Sequence, residues 1–171
     1  MSERVSNYEE FWKFYLSEHR HPLSRRLHFL GTGGWFASLA ASAALNPIGF
    51  PLAMAGFGLA LKKGLDRGES ESPSLKHVLV MLGIPSLASP VVFPAGVMFA
   101  YGCAWVGHFR VEHNRPATFK YPLWSLVSDW KMWAEMAQGR LWDGDPLEEL
   151  GLELSNDDPP TLRVVTDTAA E

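Results

Sequence analysis

Two stretches of this chain, residues 29–61 and 77–109, contain no Asp, Glu, Lys or Arg, and each is 33 residues long. One straight helix of that length would span ~50 Å, against a bilayer hydrocarbon core of ~30 Å. Each stretch also carries helix breakers near its middle. The first has Asn46-Pro47 and then Pro51; the second has Pro85, Pro90 and Pro94. The pattern therefore predicts two helical hairpins, 29–44 with 48–61 and 77–89 with 91–109. Their helices are shorter than the ~20 residues of an ordinary span, so they extend into the interface, tilt little or cross a locally thinned bilayer.

The expected fold is an all-α integral membrane bundle of two transmembrane hairpins, about four membrane helices in all. Small residues support it. Gly31, Gly33, Gly34, Ala37, Ser38, Ala40 and Ala41 line the first helix, and Gly56 and Gly58 the second. Close backbone approach at such residues holds helices together where water cannot drive apolar association. A soluble all-α bundle with very apolar central helices is the alternative reading of the same pattern.

All 15 Lys and Arg residues lie outside the two runs, in segments 1–28, 62–76 and 110–171. Two hairpins put these segments on one side. The positive-inside bias then predicts a multi-pass membrane protein with both termini cytosolic. The 28 residues before the first run are polar and aromatic, which is not a signal-peptide pattern. The net charge of −4 argues against a nucleic-acid partner, and one cysteine excludes an intrachain disulfide framework. From Gly144 onward there are eight acids and one arginine. The domain division is thus a membrane helical domain, 1–143, and an acidic tail, 144–171, that reads as disordered.

Two amphipathic helices are expected to flank the hairpins. Ser6 and Glu9 form a capping-box pattern, followed by Tyr8, Phe11, Trp12, Tyr15 and Leu16 on one face, with Pro22 ending or kinking the helix. Segment 122–138 repeats the device with Leu123, Leu126, Val127, Trp130, Trp133 and Ala137. Trp124, Trp130, Trp133 and Trp142 suit the membrane interface, where the ring is buried and the N–H stays wet, although core packing serves the same stripe.

The six histidines, His19, His21, His28, His77, His108 and His113, all fall at or just beyond the ends of the charge-free runs. The hairpin topology brings them near the cytosolic face, where imidazoles from different helices can gather on a metal. Interfacial histidines that merely snorkel are the competing reading. No H-E-x-x-H box and no multi-histidine di-iron box is present, so any iron site would be mononuclear. Glu112 beside His108 reads as a metal ligand, a partner of one, or a surface carboxylate. It is the catalytic candidate.

Two stretches carry a resemblance. One is Phe14-Tyr15-Leu16-Ser17-Glu18-His19, with Pro22 and Arg26-Leu27-His28-Phe29-Leu30-Gly31. The other is Ala104-Trp105-Val106-Gly107-His108-Phe109, with Glu112 and Asn114-Arg115-Pro116-Ala117-Thr118. Over residues 8–140 the chain resembles the membrane family typified by the fungal endoplasmic-reticulum 2-hydroxy fatty acid dioxygenase of phytosphingosine degradation. The resemblance implies a multi-spanning helical protein using Fe2+ and O2 to shorten a 2-hydroxy fatty acid by one carbon. It implies His19, His28 and His108 as iron ligands, with His77 a looser match. His113 falls where the motif more often has lysine, and His21 at a position that need not be histidine. Arg26 and Arg115 are candidates to steer the substrate carboxylate, though juxtamembrane arginines bind anionic lipid by default. A non-catalytic membrane scaffold or lipid-binding protein is the rival function.

Overall fold

A computed structural model describes residues 4–69 and 74–153, and among them every regular element is helical. The order is α1 (Tyr8–Ser17), α2 (Pro22–Leu45), α3 (Gly49–Arg67), α4 (Leu75–Ala88), α5 (Val92–Val106), α6 (Pro122–Ala137) and a short α7 (Pro146–Glu149). The all-α expectation holds. Of these helices, α5 with the π-helical turn Gly107–Glu112 that continues it is long and apolar enough to cross a membrane, and Leu75–Ala88 is apolar but shorter.

Pro22 begins a helix rather than ending one. It takes the first turn of α2, where its missing N–H costs nothing. The N-cap is His21, whose Nδ1 accepts from the Leu23 N–H at 3.1 Å. Helix α2 therefore starts seven residues before the charge-free run and carries His28 on its body. Likewise the cap of α1 is Asn7, not Ser6. Its side-chain oxygen accepts from the Glu10 N–H at 3.0 Å, while the Ser6 hydroxyl donates to the Glu10 carboxylate.

The chain does reverse at the two predicted tips, and the tips touch. The Ser42 and Ser89 hydroxyls are 2.8 Å apart, and the Asn46 amide donates to the Ala88 carbonyl at 3.1 Å. The lateral pairing differs from simple hairpins. Helix α2 packs along α5, and α3 along α4, while the expected hairpin partners, α2 with α3 and α4 with α5, touch little. The α2–α5 seam is built on glycine. A Cβ on Gly31 would lie 2.9 Å from the Cys103 Cβ and 3.1 Å from the Ala100 carbonyl oxygen, and one on Gly107 would lie 3.0 Å from the Ser24 hydroxyl. Backbones this close leave no room for a side chain.

Helix α6 uses two faces. Trp124, Met132 and Met136 pack with Phe11, Tyr15 and Leu16 of α1, while Leu123, Leu126 and Trp130 pack with Trp35, Phe57 and Met81. Three of the tryptophans expected at an interface serve as packing inside the bundle. Trp130 stacks on Trp35 at 5.4 Å, Trp133 on Phe29 at 5.5 Å, and Trp124 on Tyr121 at 5.6 Å. Ala137, assigned to the stripe, is exposed.

Two buried charges tie remote segments to this frame. Tyr121, the N-cap of α6, makes no side-chain capping bond to the helix. Glu69 supplies it from 54 residues away, one carboxylate oxygen accepting from the Leu123 and Trp124 N–H groups at 2.9 and 2.8 Å. Fully buried Arg25 donates to the carbonyls of His19, Arg20, Leu141, Asp143 and Gly144. Order therefore continues past the expected boundary at 143. Leu147 of α7 is buried in the same cluster as α1. The remainder of the expected tail, from 154 onward, lies outside the described residues.

Candidate metal centre

Three of the six histidines come together. His19 follows α1, His28 lies at the end of the second turn of α2, and His108 lies in the π turn that continues α5. Their ring centroids are 4.5 Å (His19–His28), 4.7 Å (His19–His108) and 5.2 Å (His28–His108) apart. One nitrogen from each ring lies within 4.8 Å of the other two, and all three residues are buried.

Each ring is held at its Nδ1 by a different acceptor. The Tyr15 carbonyl holds His19 at 2.6 Å, the Asp129 carboxylate holds His28 at 2.7 Å, and the Asn114 side-chain oxygen holds His108 at 2.7 Å. An Nδ1 that donates leaves Nε2 as the lone-pair nitrogen. The Nε2 atoms of His19 and His28 are buried and make no hydrogen bond within the protein. A buried polar atom without a partner is costly, and a cation among these nitrogens would satisfy it. Fixing one ring nitrogen while freeing the other is the usual device at metal-bound histidines. The donor set thus fits a divalent transition metal, with nitrogen ligands suited to iron or zinc.

The holding groups are themselves fixed. Asp129 also accepts from the Tyr15 hydroxyl at 3.2 Å and from the Thr32 hydroxyl. Asn114 donates from its amide nitrogen to the carbonyl and the carboxylate of Glu18, at 2.8 and 2.9 Å. The π turn makes the Asn114 contact possible. It ends at His113 in the left-handed conformation (φ 55°), and the Asn114 N–H returns to the His108 carbonyl at 3.0 Å. Such turns occur mostly as single inserts at functional sites.

Burial, together with the neighbouring His28 and His108 rings, pushes the His19 pKa well below the usual imidazole value. A neutral ring gives up no proton on binding a cation. Burial and the nearby Glu112 charge raise Glu18 to about 7. The unfolded carboxyl has already released its proton at the lower end of the window from about 4.5 to about 7, while the folded one still holds it. Folding then takes up a proton, so the metal-free protein loses stability as pH rises through that window. Glu18→Gln is expected to remove this slope. Thermal midpoints of both proteins at about pH 5 and about pH 8 check it, because the His19 contribution acts below its unfolded pKa and is common to both.

The other candidate residues stand elsewhere. His77, the looser fourth ligand, begins α4 and packs against α3. A Cβ on Gly64 would meet its ring at 3.1 Å, so His77 does not join the cluster. His21 is a helix cap, and exposed His113 turns the chain. Glu112 accepts the His21 N–H at 2.9 Å, beside the cluster and not in it. Arg26 pairs with Asp143 at 2.8 Å, and Arg115 is exposed. Neither lines the cavity that opens on His28 and His108, which is bordered by Tyr15, Thr32, Tyr101, Thr118 and Asp129. Asp129 is the residue that sequence reasoning missed. Its one signal was being the only carboxylate in stretch 122–134, which is otherwise aromatic and apolar but for Ser125, Ser128 and Lys131.

The comparisons agree with the motif resemblance. A family model described as 2-hydroxy-palmitic acid dioxygenase Mpo1-like matches residues 5–141. No curated protein and no solved structure matches the chain. The matched span takes in the three clustered histidines together with Asp129 and Asn114, and on it the chain belongs to the 2-hydroxy-palmitic acid dioxygenase Mpo1-like family.

Proposed function

We propose that this protein is an Fe(II)-dependent dioxygenase that shortens 2-hydroxy fatty acids by one carbon, and that it works as a multi-pass membrane protein. The observation that carries the reading is the buried trio His19, His28 and His108, each ring held at Nδ1 and two of them with unpartnered Nε2 atoms. The family description supplies the substrate class. Iron(II), when bound, supplies the redox chemistry that lets O2 react with a 2-hydroxy acid. The chain's own residues do the rest. Three imidazoles leave coordination positions open. Asp129 and Asn114 fix ring orientation, and the cavity beside His28 and His108 receives the reacting end of the substrate. Glu112 stands beside the cluster, where it accepts the His21 N–H.

The membrane reading rests on the two charge-free runs and on a band of exposed apolar side chains along α2 to α5. Leu45, Ile48, Leu52, Leu79, Leu87, Val91 and Met98 are each more than two-thirds exposed. Apolar surface on this scale needs a cover, and lipid is the one that matches its composition. In this arrangement α2 and α3, then α4 and α5, cross as two pairs with both termini cytosolic, and the acidic segment beyond the bundle stays in the cytosol as a tail.

The test uses detergent-purified protein loaded anaerobically with Fe(II) and then given O2 and 2-hydroxypalmitate. The expected result is about one iron bound per chain and O2-dependent release of the acid one carbon shorter. Purified protein that takes up no Fe(II) would refute the enzyme reading and leave the non-catalytic scaffold.

A further inference from the structure

Behind the metal centre lies a second cavity. The first, of about 100 Å³, is bordered by His28 and His108. The second, of about 90 Å³, is lined by Trp35, Phe57, Met81, Phe93, Val97 and Trp130. The two share Thr32, Ala100, Tyr101, Pro122, Leu126 and Asp129 as common walls, so they adjoin, and a chain passing from one to the other would bend at these residues. Packed protein interiors leave few voids larger than a water molecule. These two are instead half-open hollows, side by side in a bundle with a glycine-packed seam. The character of the walls changes at the bend. On the metal side stand the imidazoles, the Tyr15 and Thr118 hydroxyls and Asp129; on the far side the lining is almost wholly aliphatic and aromatic.

We propose that the far compartment holds the acyl tail of the substrate and that Ala100, the smallest side chain on the shared wall, sets how long a tail can pass. This rests on the functional reading above and adds a location and a selectivity residue to it. A polar reacting end at the histidines and a hydrocarbon tail among Trp35, Phe57, Phe93 and Trp130 match the two halves of a long-chain 2-hydroxy acid. Each methylene moved from water into such a pocket contributes about 0.8 kcal/mol, so wall residues at the bend have large leverage on chain length. Phenylalanine at 100 fills the neck and excludes the tail beyond it. Leu126→Trp narrows the same neck from α6, away from the tight contact between Ala100 and Gly31.

Two measurements test this. The first is the ratio of kcat/KM for 2-hydroxypalmitate to that for 2-hydroxyhexanoate. Loss of contact with two or more methylenes lowers the ratio by at least roughly tenfold in Ala100→Phe and in Leu126→Trp. Met98→Phe, at an exposed position on the same helix, keeps the wild-type ratio. An unchanged ratio in both neck variants, with wild-type turnover intact, overturns the proposal. The second uses metal-free protein and 2-hydroxypalmitate brominated near its methyl end, which quenches tryptophans it touches. Trp35 and Trp130 line the compartment. Quenching that unbrominated 2-hydroxypalmitate reverses, and that Ala100→Phe abolishes, supports the proposal even if no turnover is found; failed turnover then counts against the catalytic reading alone. Quenching that is not reversible, or that a dipalmitoyl phospholipid reverses equally well, assigns the space to bulk or bilayer lipid and overturns it.

Discussion

Alanine in place of His19, His28 or His108 is expected to lower Fe(II) affinity by more than about a hundredfold in each case, and O2-dependent turnover with it. The three rings have no substitutes nearby, since His21, His77 and His113 stand on other features of the fold. The groups behind the rings give a graded series. Asp129→Asn keeps the shape but weakens the hold on His28 and on the Thr32 and Tyr15 hydroxyls. Asn114→Ala frees His108 and also the Glu18 carboxylate. Each of these variants should weaken Fe(II) binding by roughly ten- to a hundredfold, less than removal of a ring. Isothermal titration with Fe(II) under anaerobic conditions measures the five variants and wild type on one scale. Equal affinity for wild type and the His28→Ala protein would remove His28 from the site.

Glu69→Ala is the substitution expected to cost most in stability. It removes the acceptor for the Leu123 and Trp124 N–H groups at the start of α6 and for the Ser74 N–H at the start of α4. Three buried backbone donors lose their partner, and each unsatisfied donor costs about 1–3 kcal/mol. The combined effect is on the order of 3–5 kcal/mol, a large share of what a domain of this size has in hand. The loss would reach the metal centre, because α6 carries Asp129. Glu69→Gln retains one acceptor oxygen and should fall between the two. Thermal midpoints in detergent, with and without metal, rank the three proteins. A Glu69→Ala protein as stable as wild type would show that water replaces the carboxylate at no cost.

Local chemistry made some of the architecture readable. The breakers at Asn46-Pro47 and Pro90 mark real chain reversals, whereas Pro85, read as a breaker too, sits inside α4 without ending it. Glycines 31 and 34 read as packing residues and are packed against α5, at Cys103 and Phe99. Pro22 was misread because the same residue that ends one helix is favoured in the first turn of the next. Which of the two applies depends on where α1 stops, five residues earlier, at Ser17.

The charge map and the motif residues by themselves determined that the chain is helical and where it reverses. Those are properties of single segments and of their order. Only the tertiary structure decided that three of the six histidines meet, that α2 lies against α5 instead of its sequence neighbour α3, and that the acceptors behind the rings come from residues 15, 114 and 129. Those facts depend on lateral packing. The seam at Gly31, against Cys103 and the Ala100 backbone, and at Gly107, against the Ser24 side chain, brings α2 and α5 together, and one π turn rotates Asn114 back onto His108. Charge-free runs carry no register signal along their length, so nothing in them could say which helix lies beside which. The seam settles that choice, and it sets the distance between the imidazoles.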